Sequence, residues 1–173
     1  MAYKMGDLRN LDHNLYNFIA SGISSNGYTI LSGYDDAYVT SGIYLVDAFP
    51  ENPDNLKVPA ISVDHRNTSE APLQLGTGRE DRLKFRIDVY GRSKGERDDV
   101  AEMVRLFFKT HMPILDYNQI IQDSVTVQIG SADFENVTMF PVNGDSVQRA
   151  LKHRMSINLD CLVVIPSGTS LIT

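Results

Sequence analysis

Asp64-His65-Arg66 puts a carboxylate, an imidazole and a guanidinium into one tripeptide, the composition of a small acid–base group. The spacing works against that chemistry. Successive residues of an extended strand project to opposite faces, so Asp64 and His65 diverge if the apolar strand before them continues. Glu96, Asp98, Asp99 and Glu102 form a second cluster, in which convergent carboxylates could hold a cation. They stand at the start of a helical pattern, where capping and the helix dipole account for acids without a metal. The four histidines, His13, His65, His111 and His153, are far apart, and none has a metal-ligand partner at helical or hairpin spacing.

Other chemical signatures are similarly incomplete. Gly76-Thr77-Gly78 lacks the third glycine of a dinucleotide fingerprint and does not lead into a helix. No glycine loop is followed by Lys-Ser or Lys-Thr at phosphate-loop spacing, and no Gly-x-Ser-x-Gly elbow marks a nucleophile. Cys161 is the one cysteine, so it supports neither an intrachain disulfide nor a cysteine-rich zinc site. It lies in an alternating strand pattern and reads as a small buried hydrophobe. Asn136-Val137-Thr138 matches a glycosylation acceptor, which matters only for a secreted chain, and residues 1–10 have no apolar stretch behind a basic segment. The expectation is a protein that is not an enzyme, with no catalytic residue, cofactor or metal.

Contact chemistry is better represented. Tyr28, Tyr34, Tyr38 and Tyr44 cluster in a region rich in Gly, Ser and Asp, and tyrosine combines apolar contact area with a polar tip. Arg79, Arg82, Lys84, Arg86, Arg92 and Lys94 form a basic strip, interrupted by Glu80, Asp81 and Asp88. That strip reads as a solvated strand face, with electrostatic contact to a neighbouring subunit or to DNA as the functional alternative. The formal net charge of −6 disfavours nucleic-acid binding by the whole surface.

The elements that position these residues follow from periodicity. Leu11, Leu15, Phe18, Ile19 and Ile23 predict a helix over Leu8–Ser24, ended by Asn26 or Gly27 in a left-handed cap. Tyr28–Leu31 is a short apolar piece. Ile43–Ala48 and Val58–Val63 read as strands, with Pro59 at a strand start or edge. Phe49–Leu56 reads as a turn or loop, and His65–Asp81 as a long polar loop or the two arms of a long hairpin joining Ile61 to Phe85. Leu83–Tyr90 alternates cleanly, with Leu83, Phe85, Ile87 and Val89 on one side. Ser93 and Glu96 form a capping box for a helix striped by Val100, Met103, Val104, Phe107 and Phe108 and ended by Pro113. Ile114–Asp116, Val125–Ile129 and Val137–Phe140 read as short separate strands, Asn143-Gly144-Asp145 as a turn, and His153–Ile165 as a long final strand.

The 173 residues fit one domain, with residues 1–7 and 167–173 as arms, and the 42% hydrophobic content suits an ordinary core. No apolar stretch approaches the roughly 20 residues of a membrane span. The order helix, strands, helix, strands predicts an α+β fold in which two main helices pack on a mostly antiparallel sheet.

Val58-Pro59-Ala60-Ile61-Ser62-Val63, Leu75-Gly76-Thr77-Gly78-Arg79, Phe85-Arg86-Ile87-Asp88-Val89-Tyr90-Gly91, Ser93 and Glu96-Arg97-Asp98-Asp99-Val100-Ala101 together resemble the tail terminator and tail-completion proteins of tailed bacteriophages. The resemblance spans Leu8–Ile165 in order of elements and Val58–Phe108 in residue detail. It implies a structural virion protein of the tail or neck, made in the host cytoplasm and lacking a catalytic site. Its subunits would form a ring, usually a hexamer, that caps the tail tube and joins it to the head-side connector or stopper protein. DNA would pass through the lumen without specific binding. Ring subunits bury heterologous surfaces on two sides. The candidate contacts are Tyr34 and Tyr38 in the tyrosine-rich region, and Arg66, Leu75, Arg79 and Arg82 in and beside the His65–Asp81 loop. Competing expectations are a head–tail stopper or baseplate protein, a small cytoplasmic enzyme using Asp64, His65 and Arg66, and a ligand-binding α+β module.

Overall fold

The computed structural model describes residues 7–32, 40–46, 56–67, 79–142 and 153–166. Helix α1 spans Asp7–Ser25. Leu11, Leu15, Ile19 and Ile23, each four residues from the next, are all buried. Removing such side chains from water contributes about 1.5–3 kcal/mol each. The helix ends at Gly27, whose φ of 81° places it in the left-handed region that glycine enters without a Cβ clash.

Two further helices and seven strands follow among the described residues: β1 (Thr29–Ser32), β2 (Gly42–Val46), β3 (Ala60–Asn67), β4 (Arg79–Tyr90), α2 (Lys94–Phe107), β5 (Met112–Leu115), α3 (Tyr117–Asp123), β6 (Gln128–Val142) and β7 (Arg154–Ile165). The strands form one sheet in the order β1-β2-β3-β4-β7-β6-β5. β1 pairs with β2, and β2 with β3, in parallel. The remaining pairs run antiparallel.

This corrects the expected mostly antiparallel sheet, while α1 and α2 are the two long helices packed on the core. The sheet is mixed, one flank is a parallel three-strand unit, and α3 is a third helix. Parallel neighbours need a crossover, usually helical. The segments joining β1 to β2 and β2 to β3 carry no helical periodicity, so local pattern favoured hairpins. The two short strands read over Val125–Ile129 and Val137–Phe140 are also corrected: Gln128–Ile129 of the first and all of the second belong to the single 15-residue β6, and Val125–Val127 precede it. A bulge between Glu135 and Thr138, with Asn136 at φ 51°, shifts the register mid-strand and breaks the alternation.

β3 and β4 do extend beyond the apolar runs, and Ile61 pairs with Val89 and His65 with Phe85 as in a long hairpin. Residues 68–78 between them lie outside the described residues, as do Phe49–Asn55, Asn143-Gly144-Asp145 and 167–173. The main core lies between α1, α2 and one sheet face, with Ile43, Leu45, Ile61, Val63, Phe85, Ile87, Ile157 and Leu159 at its centre. A smaller cluster of Leu31, Tyr44, Leu56, Ala60 and Tyr90 sits on the opposite face.

Candidate interaction surface

The sheet face free of the described helices carries the polar residues of β3, β4, β7 and β6, because alternation sends Ile61, Val63, Phe85, Ile87, Ile157 and Leu159 to the core side. Register aligns Ser62 with Asp88 and Ser156, Asp64 with Arg86 and Asn158, and Lys84 with Asp160 and Glu135. The face divides into a buried half and an exposed half.

Asp88 lies at the centre of the buried half, 1% exposed. Its Oδ2 accepts from Arg154 Nη2 at 2.8 Å, and its Oδ1 accepts from Arg86 Nε at 3.0 Å and from the Ser156 hydroxyl. Burial pushes the Asp88 carboxyl above its ordinary value, against the pull of Ser156 and Arg86. Tyr90 is fully buried beside it, and burial together with the Asp88 charge raises its phenol. The Arg154 guanidinium lies 5.8 Å from the Tyr90 ring centre. Seclusion at this depth makes the cluster a structural clamp between β4 and β7, the strand pair at the centre of the sheet.

The exposed half holds Arg82, Lys84, Asp133, Glu135 and Asp160. Arg82 Nη2 reaches Glu135 Oε2 at 3.1 Å across β7, with the two side chains 40% and 41% exposed. Asn136 Nδ2 donates to Asp160 Oδ2 at 2.9 Å. Asp133 meets the exposed ring of His111 on the approach to β5. Val164, at the far end of β7, is also exposed.

Of the residues singled out from the sequence as contacts, Arg82 falls on this exposed half. Arg66 and Arg79 are placed as strand positions, near the end of β3 and at the start of β4. Tyr34, Tyr38 and Leu75 lie outside the described residues. Asp64 and His65 occupy successive positions of β3, paired with Arg86 and Phe85 respectively. Among the described residues no group of three or more His, Cys, Asp or Glu could hold a metal ion. Glu96 instead serves α2: its amide donates to Ser93 Oγ at 3.2 Å, and its carboxylate accepts from the Arg92 backbone amide at 2.6 Å. Cys161 is buried on the core side, and burial with the nearby Asp133 charge pushes its thiol up to about 12. No described helix is long and apolar enough to cross a membrane.

Sequence reasoning passed over Asn10 and Asn14, which the structure makes central to the sheet's edge. Both are buried on α1. Their side-chain amides donate to the Leu115 carbonyl at 2.9 and 3.0 Å, Asn14 Oδ1 accepts from Leu115 N at 2.8 Å, and Asn10 Oδ1 accepts from Tyr117 N at 2.9 Å. They stand in for a neighbouring strand where β5 ends and α3 begins. Their placement at i and i+4 on the buried side of α1 was the available signal.

No family profile and no curated protein sequence matches the chain. Among solved structures, the fold is similar to a chain in the virion of a native gene transfer agent particle. Sequence identity is 15% and the TM-score is 0.38, over 71% of this chain and 78% of that one.

Proposed function

We propose that this chain is a structural virion protein of a tailed phage, a ring-forming subunit that caps the tail tube and joins it to the head-side connector. The observation that carries the reading is the continuity of the segment in which the tail-terminator resemblance lies. Ala60–Asn67, Arg79–Tyr90 and Lys94–Phe107 fold as one strand–strand–helix unit, with Gly91 and the Ser93 cap making the turn from β4 into α2. Polar chemistry on the helix-free face supports the same reading. Its most secluded charged group, Asp88, is saturated by the chain's own donors, and its exposed charges lie on a broad strand surface suited to contact with other proteins. The net charge of −6 suits a ring through which DNA slides.

The test is tube growth. Tail-tube protein is polymerised with and without this chain, and the tube ends are imaged by electron microscopy. The proposal expects a ring on one end and arrested growth. Bare ends and unchanged tube lengths would contradict it.

A further inference from the structure

The exposed half of the helix-free face is not uniformly charged. Its rows read Arg82–Leu162–Asp133, Lys84–Asp160–Glu135 and Arg86–Asn158–Thr138 across β4, β7 and β6. Within these three rows base is confined to β4, and acid to β7 and β6; Glu80 on β4 stands in the next row, with Val164 and Ser131, and Asp64 on β3 flanks Arg86. Strands lie about 4.8 Å apart, so the basic column and the β6 acids are separated by about 10 Å. The middle column, on β7, becomes apolar toward its end: Leu162 is half-buried and Val164 is exposed. Arg82 already bridges to Glu135, whereas Lys84 is exposed and has no ion pair among the described residues.

We infer that this face is self-complementary, and that a second copy of the chain packs on it face to face about a two-fold axis running along β7. Rotation about an axis parallel to the strands preserves height and exchanges left with right. Each row therefore meets itself reversed. Arg82 stands opposite Asp133 of the partner subunit, Lys84 opposite Glu135 of the partner subunit, and Leu162 and Val164 pack on their own symmetry mates. Asp160 approaches its mate between the two Lys84 ammonium groups, and its hydrogen bond from Asn136 draws the carboxylate toward β6. Stacked sheets sit about 10 Å apart, a gap that lysine and glutamate side chains reaching from both sides can bridge. The contact is isologous, so every favourable pair occurs twice. Charge complementarity singles out a second copy as the occupant, since it presents the same two columns in the opposite order.

This two-fold contact goes beyond the ring proposed above and is tested separately. Sedimentation velocity is measured on the wild-type chain, K84E, E135K, the K84E/E135K double variant, and an equimolar mixture of the two single variants, at low and high salt. Circular dichroism establishes that each variant is folded. The wild-type chain associates at low salt. Each single reversal places like charges opposite each other twice and weakens association at least about tenfold. The mixture restores opposite charges at both contacts, as does the double variant, so both recover. Overturning results are a wild-type chain that stays monomeric at every concentration, single variants that associate as wild type does, or a mixture that fails to recover. An assembly held by other surfaces does not give the mixing pattern, and failure of the chain to bind tube ends leaves that pattern unchanged.

Discussion

Asp88 shows how much one side chain can decide. A carboxylate this deep is tolerable because Arg86, Arg154 and Ser156 satisfy it, and those arginines are tolerable because of Asp88. Asp88→Ala leaves guanidinium charge buried without its counter-charge, and we expect a loss of about 3–5 kcal/mol in urea unfolding. The pH dependence has a definite sign. Because the folded-state pKa is raised above the ordinary 3.8, the group's proton-linked stabilisation is complete below that value and is lost as pH rises through the folded pKa. The stability difference between wild type and Asp88→Asn should therefore shift in favour of wild type on acidification. A shift in the other direction would mean that the arginines outweigh burial. Asp88 was visible in the sequence only as a polar residue on the wet side of an alternating strand. Its seclusion depends on Arg154, 66 residues away, and on the second apolar cluster beside it, neither of which local pattern reports.

At the scale of elements, α2 was legible because its signals are local. The Ser93–Glu96 cap and the stripe of Val100 and Val104 lie within one helix. Ser93→Ala should cost about 1 kcal/mol by thermal or urea unfolding. Burial opposes ionisation of Glu96, but the Arg92 hydrogen bonds prevail and hold its pKa below the ordinary value. Its contribution is present above the unfolded pKa and fades as pH falls, so the advantage of wild type over Glu96→Gln should shrink on acidification, the opposite of Asp88. The turn into the helix has no slack: a Cβ on Gly91 would lie 2.6 Å from the Arg97 backbone nitrogen, and Gly91→Ala should destabilise by about 1–3 kcal/mol. At the other edge of the sheet, Asn14→Leu would leave the Leu115 amide without the partner it has now, costing about 1–3 kcal/mol by the same measurement. The parallel pairing of β1, β2 and β3 was not legible, because strand direction is set by where a connection returns, and nothing in the apolar runs encodes that. The division of β6 had a different cause: register shifts at Ile129, against β5, and at Asn136, against β7, each change which residues face the core, and a period-two reading stops at both.

At the scale of the whole molecule, one sheet face is spent on the core and the other presents charge in columns. Of the contact residues read from the sequence, Arg82 lies within those columns, because the clean alternation of β4 fixed its face in advance. The tyrosine-rich segment and the long polar loop were singled out by composition, which does not specify where a segment sits. The central claim is that this chain is an assembly subunit whose closed ring ends a tail tube. The most direct test is the mass of the purified protein by light scattering over a range of concentrations, with and without tail tubes. The account predicts a closed ring in solution, or a smaller species that becomes a ring on tube ends. A monomer that ignores tube ends at every concentration would contradict it.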